Sequence, residues 1–138
     1  MELLKSGDVH DEAGHLGFEQ ALPADAAAVF FFMGNLEHII NRCGTRGYRI
    51  AQMESGIFGG NLYLGMHSLG FGSTGLTFYD EDVTKFFSPH AQNKSPLFVV
   101  PVGIKHKQNT VQPFRSKVAS RLDALDRGAG HRLTSTNA

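Results

Sequence analysis

The fold is decided by the stretch Glu54-Ser-Gly-Ile-Phe-Gly-Gly-Asn-Leu-Tyr-Leu-Gly-Met-His-Ser-Leu-Gly-Phe-Gly-Ser-Thr-Gly-Leu-Thr-Phe-Tyr79, in which a glycine-rich helical pattern runs into a short strand pattern. Apolar residues recur at helical spacing in two neighbouring rows, which predicts a helix over residues 48–69. The rows contain Ile50, Met53, Ile57, Asn61 and Leu64 in one, and Phe58, Leu62, Gly65 and Leu69 in the other. Because both sides of the helix carry such residues, we expect it to be buried.

Four glycines inside this helix make it costly to form. Gly56, Gly59, Gly60 and Gly65 would each cost about 0.8–1 kcal/mol relative to alanine, or about 3–4 kcal/mol together. A residue without a Cβ lets another backbone or a flat ligand approach closely. Two interpretations follow for Gly56, Gly59 and Gly60: they make room for a ring or a subunit partner, or they allow tight helix–sheet packing inside one core.

The sequence on either side predicts strands that alternate with short helices. Residues 26–33 form a continuous apolar run typical of a strand buried on both faces, although a run of this length is also compatible with a helix. Pro101 lies in another predicted strand, and because proline donates no ladder hydrogen bond we expect an edge strand or a bulge there. The other predicted elements are helices at 12–21, 36–43 and 80–87, a turn at 44–47, and strands at 71–78 and 97–103. The pattern predicts an α+β fold, a mixed sheet around a long central helix.

Length and charge set limits on the domains and on the partners. The chain has 138 residues and a formal net charge of zero, which favours one domain and argues against nucleic acid as the main partner. Residues 1–103 carry six basic and eleven acidic side chains, a net of −5, and residues 104–138 carry seven and two, a net of +5. We therefore expect one domain over 1–103, with its core at 26–103, and a basic extension over 104–138 that forms a helix and then a tail.

Several kinds of site and location are not supported by the sequence. Cys43 is the only cysteine, which excludes an intramolecular disulfide and fits a reducing compartment. The seven histidines lack metal-ligand spacing, so we expect no metal site. No signal peptide or membrane-spanning run is evident at the start or in residues 26–33. These features predict a cytoplasmic protein that acts on a small molecule and does not bind a membrane.

A series of short motifs occurs in order within residues 26–103. They are Tyr48-Arg-Ile-Ala-Gln-Met-Glu-Ser-Gly56, Asn61-Leu-Tyr-Leu64, Leu69-Gly-Phe-Gly72, Phe78-Tyr-Asp80 and Val99-Val-Pro-Val-Gly103. In these motifs the chain resembles the nitroreductase family, and within it the SagB-type dehydrogenase branch. The resemblance implies a nitroreductase-like α+β fold, a homodimer with the long helix near the subunit interface, and FMN held between the subunits.

The resemblance also implies which residues contact the cofactor. The strand that follows the long helix passes the flavin ring in that family, and a backbone N–H there bonds the flavin N5. This position falls on Gly75, Leu76, Thr77 and Phe78, with Thr77 as the best match for the donor. Arg115 and Lys117 are the candidates for charges that bind the FMN phosphate. No catalytic side chain is assigned.

The chain departs from the family pattern in ways that leave two functions open. Relatives begin with an arginine- and serine-rich segment that grips the phosphate, and this chain starts after that point, which predicts a truncated version of the fold. Ile57 and Gly60 replace a histidine and a glutamine, and Ile104 replaces an arginine. The leading expectation is an FMN-dependent oxidoreductase that passes hydride from NAD(P)H or a substrate to an acceptor in a ping-pong cycle. The alternatives are a non-catalytic interaction module and a dimer that binds another planar ligand.

Overall fold

A small antiparallel sheet lies between one long helix and several short ones. The computed structural model describes residues 3–104, which belong to a compact unit spanning Met1–His106. The helices are α1 (His10–Leu16), α2 (Ala21–Ala24), α3 (Leu36–Cys43), α4 (Gly47–Ser68) and α5 (Asp80–Phe86), with a 3₁₀ turn at Gly44–Arg46. The strands are β1 (Ala28–Gly34), β2 (Phe71–Ser73) and β3 (Ser95–Ile104). The predicted basic helix and tail lie outside the described residues, and the domain boundary at residue 103 stays a prediction.

The sheet has the order β1-β3-β2, and both pairs are antiparallel. The predicted α+β class with a long central helix is therefore confirmed. Ala28 of β1 lies opposite Val102 of β3, and Phe32 lies opposite Phe98. Because side chains alternate across a strand, Phe32 and Phe98 share one face of the sheet and Phe31 and Val99 share the other. Each face is covered by a different set of helices.

Pro101 is not at an edge, because β3 is the central strand. The prediction of an edge strand is wrong, and the one irregularity in the β1–β3 pairing lies between Phe32 and Met33, away from the proline. The Pro101 carbonyl accepts a hydrogen bond from the Thr74 N–H at 3.4 Å, so it points towards the β2 side of the sheet. Because proline has no N–H, Pro101 cannot donate the second hydrogen bond of such a pair. The ladder is therefore interrupted on the β2 side, where the sheet can lose a bond without losing its pairing to β1.

The predicted strand at 71–78 is also shorter in the structure, because the ladder to β3 is interrupted. The ladder from β2 ends at Ser73, and one further bridge joins Leu76 to Val99. Ser73 opposite Val102 and Leu76 opposite Val99 keep the same register, so the chain continues along β3 without a bulge. The predicted strand is thus a three-residue strand plus one bridge. In its last part the Thr77 N–H has no hydrogen-bond partner among residues 3–104.

The long helix α4 contacts the sheet through its smallest residues. Its buried positions are Gly47, Ala51, Ser55 and Gly59, which recur every four residues along one side. Small side chains allow the helix axis to come close to the sheet. The prediction that both apolar rows would be covered is wrong for the single chain, because the large residues of the first row face outwards.

The other face of the sheet packs against α1, α2 and α5. Val83 of α5 and Val99 of β3 are fully buried there, and the ring of Phe31 lies 5.4 Å from that of Phe87. The predicted helix at 12–21 is instead split into α1 and α2. Phe18 and Glu19, between the two helices, have φ angles of 65° and 55°, which a helix does not accommodate.

His15 links α1 to the start of α5. Its Nδ1 lies 2.5 Å from Glu19 Oε1 and its Nε2 lies 3.2 Å from Asp82 Oδ2. Both ring nitrogens face carboxylates, so both act as donors only when the ring is protonated. The hydrogen bond that Glu19 accepts from the ring, and then the one that Asp82 accepts, raise the pKa of His15 above its ordinary value. Lys85 also contacts Asp82, at 3.5 Å, and shares its charge.

Replacing His15 with glutamine is expected to lower the melting temperature at pH 5.5 and to change it little at pH 8.5. The folded-state pKa is raised, so the stabilisation is fully present below the unfolded-state pKa and is lost as the pH rises through the folded-state value. Thermal unfolding followed by circular dichroism at the two pH values measures this. His38→Gln is the control, because the His38 ring is exposed and contacts no carboxylate in the described region. An equal loss at both pH values would contradict the assignment.

Candidate functional site

The predicted cofactor segment runs from Gly75 to Phe78, between β2 and α5. The Leu76 N–H donates to the Val99 carbonyl at 3.2 Å, which ties the segment to the central strand. Within residues 3–104 the Thr77 N–H has no hydrogen-bond partner, and Thr77 is exposed. An unpaired main-chain donor next to a fixed residue can meet an acceptor atom of a ligand without adding a titrating group. The segment therefore fits the edge of a ring that accepts a hydrogen bond.

The ring of Phe98 fills the space behind this segment. A Cβ on Gly59 would lie 2.4 Å from Phe98 Cε1, and a Cβ on Gly75 would lie 2.7 Å from Phe98 Cε2. The hydroxyl oxygen of Tyr63 lies 3.1 Å from the position that a Gly75 Cβ would take. Both glycines are needed because an aromatic ring and a phenol occupy the volume that a side chain would take. Phe98 and Tyr63 were not singled out as site residues in the sequence, since only the fold brings them to Gly75.

The four helix glycines separate into two groups. Gly59 makes room for Phe98, which supports tight helix–sheet packing at that position and not a ligand ring. A Cβ on Gly56, Gly60 or Gly65 would meet nothing within 4 Å. Packing within the described chain therefore does not explain why Gly56, Gly60 and Gly65 are glycines, and the space beside them is open.

Beside these open positions lies an apolar surface, the outer face of α4. It consists of Ile50, Met53, Ile57, Gly60 and Leu64, spaced alternately by three and four residues. Met53 is 69% exposed, Ile57 63% and Leu64 73%. Large apolar side chains lined up on one helix face mark an interaction surface.

Other predicted candidates lie apart from the segment. Arg46 and Arg49 are exposed at the start of α4, and His67 is exposed in its last turn. Tyr79 is the residue before α5, where its ring packs 4.6 Å from that of Phe18, so it has a structural role. Arg115 and Lys117 lie outside the described residues.

A separate cavity lies on the opposite face of the sheet. Its volume is about 460 Å³, and its apolar lining includes Leu16, Phe31, Phe86 and Phe87. The residues of the predicted cofactor segment do not line it. Pattern reasoning did not predict this cavity, because its wall comes from α1, α5 and β1 together.

Two kinds of site find no support in the part of the chain that the structure describes. Among residues 3–104 no three histidine, cysteine, aspartate or glutamate side chains come together in a way that would hold a metal ion. No helix in that range is long and apolar enough to cross a membrane.

Comparison with known proteins gives a consistent family match. Residues 2–104 match the family model described as the nitroreductase family. A curated protein of Methanocaldococcus jannaschii, named as a putative nitroreductase, is 32% identical over 100 residues, which is 69% of this chain and 49% of the relative. The chain thus spans about half the length of that relative.

Solved structures show the same fold. A nitroreductase-type protein from Anabaena variabilis superposes with a TM-score of 0.68 at 28% identity, covering 72% of this chain and 20% of that one. Nitroreductase A from Vibrio parahaemolyticus superposes with a TM-score of 0.62 at 16% identity, covering 98% of this chain and 66% of that one. At such low identity the second likeness shows the fold alone.

Proposed function

Because the chain belongs to the nitroreductase family, we propose that it is an FMN-dependent oxidoreductase. In this proposal the protein accepts hydride from NAD(P)H or a substrate and passes it to a second small molecule in a ping-pong cycle. Bound FMN would supply the hydride-accepting and hydride-donating chemistry. The motif series also supports placing the chain in the SagB-type branch. Its single cysteine supports a reducing compartment such as the cytoplasm.

The observation that carries the proposal is the unpaired N–H of Thr77. Thr77 is an exposed residue in the segment that matches the family's flavin contact, and its N–H has no competing acceptor among the described residues. Gly75, Leu76 and Phe78 complete the main chain that would lie along the ring. A donor fixed by the protein favours negative charge at its acceptor without reorganising during the reaction. Thr77 would thus hold the ring edge and stabilise the reduced form.

The outer face of α4 supports a homodimer as part of this proposal. Ile50, Met53, Ile57 and Leu64 are exposed in the single chain, and Gly60 between them lets a second helix come near. Burying this face would remove a continuous apolar stripe from water. A second subunit there would also enclose a ligand at the crevice between the two copies. Arg115 and Lys117 stay our candidates for binding the phosphate.

The interaction-module alternative is not favoured by the comparisons, since the match is to an enzyme family over most of the described chain.

The test of the proposed oxidoreductase activity is reduction of the reconstituted protein under anaerobic conditions. Protein mixed with FMN and freed of excess cofactor is expected to lose its absorbance near 450 nm when NADPH or NADH is added, and to regain it when a quinone or nitroaromatic compound is added. Protein that retains no flavin after the excess is removed would contradict the proposal, and bound flavin that neither nucleotide reduces would exclude NAD(P)H as the electron donor.

A further inference from the structure

We propose that Phe98 is a positioning residue for the redox site, because its ring holds the main chain from Gly75 to Thr77 against the sheet. This inference rests on the proposed function, since it concerns how the Thr77 N–H is aimed. It goes further by assigning a role to Phe98, a side chain outside the predicted cofactor segment.

The first observation is that Phe98 is held between two backbones. Its Cε1 edge faces Gly59 of α4 and its Cε2 edge faces Gly75, at distances that leave no room for a Cβ on either side. The ring also lies 6.0 Å from the ring of Phe32, nearly parallel to it at 27°. A ring confined on three sides has little freedom to move.

The second observation connects Phe98 to the donor. Gly75 touches the ring, Leu76 is bonded through its N–H to Val99, the neighbour of Phe98, and Thr77 comes next with its N–H unpaired. The two restraints act on consecutive residues, so together they set the direction of the peptide that carries the Thr77 N–H. Neither restraint alone fixes it, because Gly75 has no side chain to limit its own backbone angles.

The direction of this N–H matters because a hydrogen bond weakens steeply as its angle closes. Without the Phe98 ring, Gly75 would lose its packing partner. The two peptides that follow Gly75, the second of which carries the Thr77 N–H, would then sample more orientations. We therefore expect removal of the ring to weaken flavin binding more than a comparable loss elsewhere in the core.

The experiment compares Phe98→Leu with Phe31→Leu in the full chain. Both rings are half-buried on the sheet, but Phe31 faces α5 on the opposite side and packs on Phe87. Two quantities are measured for each: the dissociation constant for FMN, from quenching of its fluorescence, and the hydrogen-exchange rate of the Leu76 amide in cofactor-free protein. Phe98→Leu is expected to weaken FMN binding about tenfold, and Phe31→Leu less than about threefold at a similar loss of thermal stability. Only Phe98→Leu is expected to speed exchange at Leu76.

A second variant tests the packing directly. Adding Gly75→Ala to Phe98→Leu places a methyl group in part of the space that the ring vacates, and it is expected to slow exchange at Leu76 again. Equal effects of Phe98→Leu and Phe31→Leu on both quantities would overturn the positioning role. If the wild-type protein fails to bind FMN, the proposed function fails. Unchanged Leu76 exchange in Phe98→Leu would overturn the positioning role by itself.

Discussion

Replacing Gly59 with alanine is expected to destabilise the protein by about 1–2 kcal/mol, even though alanine is the better helix former. The gain in helix propensity is about 1 kcal/mol, and overpacking this filled core is expected to cost about 2–3 kcal/mol, the upper part of the usual range. The added Cβ would lie 2.4 Å from the Phe98 ring, which cannot retreat because Gly75 lies against its other edge. Thermal unfolding should show a melting temperature lower by about 3–8 °C.

Gly56→Ala is the matched control for this substitution. It lies one turn earlier in the same helix, and a Cβ there meets nothing within 4 Å. Alanine at this position is expected to raise the stability by up to about 1 kcal/mol through propensity alone. If the two variants shifted the melting temperature equally and in the same direction, the contact between Gly59 and Phe98 would not be the reason for the glycine.

The double substitution Ile57→Glu and Leu64→Glu is expected to convert a dimer into a monomer. Both side chains are exposed in the single chain, so glutamate there meets water and leaves the monomer folded. In a dimer packed through the outer face of α4 the carboxylates would be buried without partners, which is costly. We expect dimerisation to weaken at least about 100-fold, as measured by sedimentation velocity over a range of concentrations. FMN binding should weaken with it if the site lies between subunits.

Leu22→Glu provides the comparison for this variant. Leu22 is also an exposed apolar residue, 51% accessible, but it lies on α2 on the other side of the sheet. It should leave the association state unchanged. A double variant that sediments like the wild type would show that the outer face of α4 is not the interface.

The sequence predicted the larger elements well because their signals are local. The helical rows of α4 and the acidic first turn of α5 each point to one kind of element, and the apolar run at 26–33 favoured a strand although it was also compatible with a helix. The order of the strands was not predictable in the same way. Pro101 was expected at an edge because proline donates no ladder hydrogen bond. The structure tolerates it in the central strand because β2 is short, so no residue of β2 requires a hydrogen bond from an N–H at position 101.

The burial of α4 could not be read from periodicity alone. The rows of large apolar residues are real, but the side that packs on the sheet carries Gly47, Ala51, Ser55 and Gly59. The helix therefore packs its side of small residues against its own sheet and presents a second side, of large apolar residues, that can contact another surface. For the candidate site, residues 75–78 followed from the resemblance, whereas Phe98 required the contact between a strand and a glycine far apart in the chain.

The most direct test of the account is an equilibrium titration of the purified full chain with FMN, followed by flavin fluorescence and by sedimentation. The account predicts saturable quenching with a dissociation constant of about 1 μM or tighter, and co-sedimentation of the flavin with a dimer. FMN fluorescence that stays unchanged at protein concentrations well above that value would contradict the proposal that the Thr77 segment forms a flavin site.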